Sequence, residues 1–345
     1  MRQSSEGWTV IGHRTVSEVL RRNIQRGRVS HAYLFRGPGS VGKRTMAEWF
    51  AASLLCDGSK IEMRPCQECG SCRQWAAGVH PDFHRVEPQR SAGVSGRLGI
   101  GLEEIQELQS HLHRRPVLGY RRVALICGAQ HLSEKAANAL LKTLEEPRGE
   151  TVLLLTWDGT AALPPTVPSR CQHIELRAVA PTEIAEALVM RGINRIRAVA
   201  MAVHAGGRPG RALAWLTQPD AYGEYQREVA EFTAMLRQPL SQRLLAVGEL
   251  YRAGAAADEG TGPYLNERLQ RWTVAARDYM LAAAGCHHLC QFSESIPELT
   301  PEHPEVWQRC VDAMSDIRNA LSSNANARLC LEVLAVGLPD RSSVI

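Results

Sequence analysis

HAYLFRGPGSVGKRT, residues 31–45, is the stretch that decides how this chain folds. An apolar run, HAYLF, enters a glycine-rich turn, and the turn opens a run of helical character, KRTMAEWFAASLL. Strand, tight loop and helix in that order make a phosphate cradle, because loop amides and the helix N-terminus face an anion together. Gly37, Gly39, Gly42, Lys43 and Thr45 are the candidate nucleotide-binding residues. The pattern G-x-x-x-x-G-K-[ST] places a hydroxyl directly after the lysine, where it ligates Mg2+. Arg44 stands there instead and has no lone pair for a metal. Thr45 lies one helical step, about 100°, further round.

Outward from that loop, short apolar runs alternate with helical patterns as far as residue 179, the signature of βαβ units in a parallel sheet. Strands are expected at 31–37, 82–88, 121–129, 151–157 and 173–179. Helices are expected at 43–55, 102–115 and 134–146, the last capped by Ser133 and stopped by Pro147. The stretch 91–99 reads as a linker from its Gly and Ser content, and the tail DRSSVI as frayed. After Pro181 the strand pattern ends and helical patterns run to about residue 337. The fold class is therefore α/β followed by all-α.

A length of 345 residues points to two or three domains. With 44% hydrophobic and 22% charged residues the composition is that of an ordinary globular chain. No uninterrupted apolar run reaches the roughly 18 residues of a membrane span. The start, MRQSSEGWTV, lacks the apolar core of a signal peptide, so a cytosolic chain with reduced thiols is expected. Its ten cysteines are then metal ligands or buried apolar residues. A net charge of +4 permits contact with DNA phosphates without arguing for it.

Cys56, Cys66, Cys69 and Cys72 fall in CDGSKIEMRPCQECGSC. Four thiolates this close in sequence supply a tetrahedral site without long loop closure, and Gly70 is expected to ease the Cys-x-x-Cys turn. Three of them sit in a polar loop where burial is not expected. An iron–sulfur cluster is the rival ligand, but its run continues x3-C-P. Here RQWAAG follows Cys72, so structural Zn2+ is the expected cofactor. Cys286 and Cys290, with His287 and His288, form a second grouping on an expected helix and read as core packing.

HAYLFRGPGSVGKRT, the four-cysteine insertion, ANALLKTLEEP (137–147) and LPPTVPSRC (163–171) together resemble the bacterial clamp-loader subunits of the AAA+ family, densely over residues 8–178. The resemblance implies a RecA-like nucleotide-binding domain at 1–178 with a zinc-binding insertion at 56–72. A small helical lid at 179–217 and a helical collar at 218–345 follow. Five such subunits form an open ring that places the sliding clamp on primed DNA during replication by DNA polymerase III. The implied partners are loader subunits of the gamma/tau and delta types, with the clamp and DNA within the complex and no membrane. The implied location is the cytoplasmic, nucleoid-associated replisome. Motor subunits of the family end the strand before ALLKTLEE with Asp-Glu, where this chain has Cys127 and Gly128. GGRPGRAL puts Gly210 where motor subunits carry a phosphate-sensing Arg. ATP or ADP binding is thus expected to be weak or absent, with no hydrolysis by the isolated chain. Arg170 in SRC matches the arginine finger that acts in trans on a neighbour's nucleotide, and is the one catalytic candidate.

Two alternatives stand beside this reading. One is an active clamp-loader ATPase of gamma/tau type, which Cys127 and Gly128 oppose. The other is a zinc-dependent DNA-binding protein with a vestigial loop, for which the insertion offers only Arg64, Arg73 and Trp75.

Overall fold

A computed structural model describes residues 10–90, 98–147, 149–159, 163–218, 220–257, 260–292, 303–322 and 325–339. The chain forms two compact units, Met1–Leu213 and Ala214–Ile345.

The first unit is built on five parallel strands: β1 (Ala32–Arg36), β2 (Phe83–Val86), β3 (Arg122–Ile126), β4 (Thr151–Trp157) and β5 (Gln172–Glu175). Their order across the sheet is β2-β3-β4-β1-β5, so one strand separates the loop strand β1 from β3. Burial on both faces accounts for the continuous apolar runs. Alternation along β1 sends Tyr33 and Phe35 to one face and Ala32 and Leu34 to the other. Tyr33 and Phe35 join the core of α1 (Arg14–Gln25) and α2 (Lys43–Leu55), where Phe50 meets Tyr33 edge-on at 5.0 Å. Ala32 and Leu34 join the opposite core with α4 (Leu102–His113) and α5 (Glu134–Glu145), which follow the short α3 (Gly70–Ala76). Ser133 caps α5, its hydroxyl accepting the Ala136 amide at 3.2 Å.

Phe35 pairs with Thr156 and Ile126 with Leu155, so the strand C-termini end level. Residues 37–43, 87, 127 and 156–158 therefore emerge at one edge, where parallel α/β sheets bind ligands.

Three expectations change. β3 stops at Ile126 rather than 129, because Gly128 turns the chain at φ 76° into a short 3-10 turn. β5 ends at Glu175 rather than 179: after Leu176 donates to Arg36 O, the chain departs and the Val179 amide donates to Gly207 O at 2.9 Å. Leu98–Gly99 forms a two-residue strand against Gln89–Arg90 instead of linker, while 91–97 and the tail from 340 lie outside the described residues.

Three helices follow the sheet, α6 (Pro181–Val189), α7 (Arg195–His204) and α8 (Pro209–Thr217). The second unit continues with α9 (Ala221–Leu236), α10 (Leu240–Ala256), α11 (Thr261–Ala283), α12 (Pro304–Ser322) and α13 (Ala327–Gly337). Its core carries stacked aromatic pairs, Phe232 on Trp272 and Tyr279 on Trp307. Cys286 and Cys290 are not on a helix: α11 ends at Ala283, and the two cysteines bracket a 3-10 turn at 287–289. Cys290 is buried and donates to Asp278 O, as core packing expects, whereas Cys286 is half-buried and His287 and His288 are exposed.

Candidate functional site

The phosphate loop is held from within. Lys43 Nζ donates to the carbonyls of Gly37 and Pro38, both at 2.7 Å, and His13 Nε2 contacts Val41 O at 3.1 Å. The Gly210 amide at the head of α8 donates to Ser40 O at 2.8 Å. Gly37, at φ 144°, has a steric duty, since a Cβ there would stand 2.0 Å from Leu176 O. Gly42, at φ 105°, starts α2. Beside the loop lies a cavity of about 490 Å³ whose walls include Gly42, Lys43, Arg44, Thr45, Glu87, Cys127, Thr156, Asp158 and Gly210. Gly37 and Gly39 belong to the loop but do not line it. Burial lowers the proton affinity of Lys43, with Asp158 opposing and Arg208 adding to the shift.

Arg44 is committed to carboxylates. Its Nε reaches Glu48 at 2.8 Å and its Nη2 reaches Glu87 at 2.6 Å, while Arg85 pairs with the same two residues at 3.2 and 2.9 Å. At the end of β3, burial pushes the Cys127 thiol up to about 11, so it is neutral where a carboxylate would hold a metal. Gly128 has no side chain, and its amide donates to Thr156 Oγ1 at 2.8 Å. Neither Cys127 nor Gly128 carries a carboxylate.

The four insertion cysteines converge, their Sγ atoms all within 4.8 Å of one another. Sulfur ligands at about 2.3 Å in a tetrahedron stand near 3.8 Å apart, which is the Cys56–Cys69 separation. Amides of Gly58 and Cys66 donate to Cys56 Sγ at 3.4 Å, and the Cys72 amide donates to Cys69 Sγ at 3.3 Å. Such donors favour thiolates. Burial alone would raise the Cys66 thiol, but the Glu68 and Cys69 amides outweigh it and bring it down to about 7. The donor set fits a metal ion with four protein ligands. Two local expectations are corrected. The turn before Cys69 is made by Gln67 at φ 64°, while Gly70 is the first residue of α3. Cys72 is buried rather than exposed, because α3 packs back on α2.

A buried polar chain ties this insertion to the sheet. Ser71 Oγ donates to Leu55 O at 2.6 Å and meets His80 Nε2 at 2.7 Å, and His80 Nδ1 accepts the Asp82 amide. The Asp82 carboxylate accepts the amides of Val117, Leu118 and Gly119 and lies 3.7 Å from Arg122 Nη2.

Arg170 lies apart from the cavity, in the turn Pro168–Arg170. Its Nη2 pairs with Glu145 at 2.7 Å and its Nη1 donates to Thr166 O at 3.1 Å. The LLKTLEEP and PSRC segments thus meet through one ion pair. Thr156, Asp158 and Glu87 were not singled out from sequence, although their places at strand C-termini in a parallel sheet are the available signal.

A family model described as DNA polymerase III, delta subunit, matches residues 12–180. Over 146 residues the chain is 41% identical to the DNA polymerase III subunit delta-prime of Pseudomonas aeruginosa, covering 42% of this chain and 43% of that protein. It is 32% identical over 179 residues to the delta-prime subunit of Bacillus subtilis, covering 52% of each. Against the tau/gamma subunit of Haemophilus influenzae it is 28% identical over 93% of this chain and 48% of that protein. The chain spans about half the length, or less, of the curated relatives it matches. Over residues 12–180 the chain is similar to the DNA polymerase III delta-subunit family, with delta-prime subunits among its relatives there.

Proposed function

We propose that this chain is a delta-prime-like subunit of the bacterial clamp loader that does not hydrolyse ATP and serves as a scaffold in a hetero-pentameric ring. The carrying observation is the cavity edge, where Arg44, Cys127 and Gly128 stand at the metal-hydroxyl, metal-carboxylate and base positions. Gly210 supports the same reading, because at the phosphate-sensing position it gives the loop only a backbone amide, to Ser40 O. Zn2+ at Cys56, Cys66, Cys69 and Cys72 is structural, since four protein ligands leave no open position. Residues 218–345 act as the collar, with gamma/tau- and delta-type subunits, the clamp and primed DNA as partners in the cytoplasmic replisome. No helix among the described residues is long and apolar enough to cross a membrane.

Arg170 acts in trans on a neighbouring subunit's nucleotide. Its fork of donors suits a phosphoryl group developing charge, an effect worth roughly 10³–10⁵ in rate. The Glu145 pair that holds it here is partly exposed, and breaking such a pair costs only about 0.2–1 kcal/mol. A steady-state ATPase assay on the purified chain tests the non-hydrolysing part. Turnover at background, unchanged by Lys43→Ala, is expected. Turnover that Lys43→Ala abolishes would refute it and favour the motor-subunit reading.

A further inference from the structure

A fold with a phosphate loop beside level strand ends ordinarily holds Mg2+ at that edge, and the residues of this chain do not fit the ion. The hydroxyl position is Arg44, and the carboxylate positions are Cys127 and Gly128. Of the acidic groups on the cavity wall, Glu87 is taken by Arg44 and Arg85, and Asp158 bears on Lys43. A guanidinium in fixed orientation occupies the edge instead. Glu48 and Glu87 brace Arg44 through Nε and Nη2, and among the described residues no hydrogen bond or ion pair engages its Nη1, whose donors can meet an anion. Arg85 balances the second carboxylate, so the four-residue set presents no net negative charge to a phosphate. Lys43 stands at the loop, and Arg208 adds positive potential there. The volume, about 490 Å³, suits a ligand of nucleotide size.

We propose that this cavity takes the diphosphate group of a nucleotide without Mg2+, the Arg44 guanidinium standing in the metal's place. The proposal rests on the non-hydrolysing reading above: a diphosphate that meets neither metal nor base is held and not cleaved.

The test is equilibrium dialysis of labelled ADP against the full chain, with and without added Mg2+. Magnesium is removed from the buffer by a chelating resin and not by EDTA, which would compete for the cysteine-bound metal. Wild type should bind ADP equally well in both conditions, within about twofold, and unlabelled pyrophosphate should displace it without metal. Arg44→Thr returns a metal-ligating hydroxyl and leaves Glu87 to Arg85 alone. It should lose about tenfold or more of the metal-free affinity, the loss of one charge-assisted bond, and should gain a dependence on Mg2+. Arg44→Lys keeps the charge but not the fork, should also lose metal-free affinity, and serves if Arg44→Thr melts early. Four results overturn the proposal: ADP binding that requires Mg2+, no binding at millimolar ADP, no displacement by pyrophosphate, or an Arg44→Thr chain as metal-insensitive as wild type. ATP turnover in the same samples would defeat the non-hydrolysing reading, whereas Mg2+-dependent binding without turnover defeats this proposal alone.

Discussion

Gly58→Ala isolates the geometry of the four-cysteine site. A Cβ at Gly58 would stand 3.0 Å from Cys66 Sγ, 3.2 Å from Cys66 Cβ and 3.3 Å from Cys56 Sγ. Gly58 does not occupy the left-handed region, so alanine suits its backbone and the perturbation is steric alone. Comfortable contacts begin near 3.5 Å, so the two ligand sulfurs must retreat by a few tenths of an ångström, Cys66 Sγ the further. Metal–ligand distances tolerate only about 0.2 Å. Zinc affinity should therefore fall about 10–100-fold, the range seen when groups supporting a metal site are disturbed. Gly70→Ala is the matched control: nothing lies within 4 Å of its added Cβ, and it starts a helix that alanine favours. The assay is stepwise competition for zinc with a chromophoric chelator, alongside elemental analysis of the purified chain. Gly58→Ala holding zinc as tightly as wild type would refute the reasoning, as would a purified chain without zinc.

The buried network makes a stability prediction: Asp82→Ala should cost about 3 kcal/mol or more, read as a fall of roughly 6–12 °C in the melting of the first unit, because Arg122 loses its buried carboxylate and three amides lose their acceptor. Burial would raise the Asp82 carboxyl, but the amides of Leu118, Val117 and Gly119 outweigh it and hold it below the usual range. Its contribution is thus fully present above the unfolded value near 3.9 and is lost as pH falls through the lower folded value, so wild type should lose stability more steeply below about pH 4 than Asp82→Ala does. Gly210→Ala places a Cβ 2.9 Å from Ser40 O and should loosen α8 from the loop, seen as faster amide exchange at Gly210. Unchanged exchange there would mean that the contact does not hold α8 to the loop.

The layered fold was legible because buried parallel strands read as unbroken apolar runs, as in TVLLLTW, and because α5 announces both ends through Ser133 and Pro147. The four cysteines were legible because their ligand atoms are close in sequence as well as in space. What escaped the sequence depends on non-local pairing. Arg44 finds Glu87 across the cavity edge, and Asp82 collects amides more than thirty residues away. α3 was missed because its seven residues are too few for a periodic pattern, and its start is set by Cys69 accepting the Cys72 amide. The Arg170–Glu145 pair was equally invisible, since each partner lies in its own motif and only the fold brings them together.

Whether the chain contributes to catalysis only through its neighbour is tested most directly at Arg170. The measurement is the DNA- and clamp-stimulated ATPase of a reconstituted loader at saturating ATP, built with wild-type chain, Arg170→Ala or Arg170→Lys. The account predicts lowered turnover with Arg170→Ala, little rescue by Arg170→Lys, whose single ammonium lacks the planar fork, and unchanged ring assembly and zinc content. Equal rates across all three loaders would contradict it.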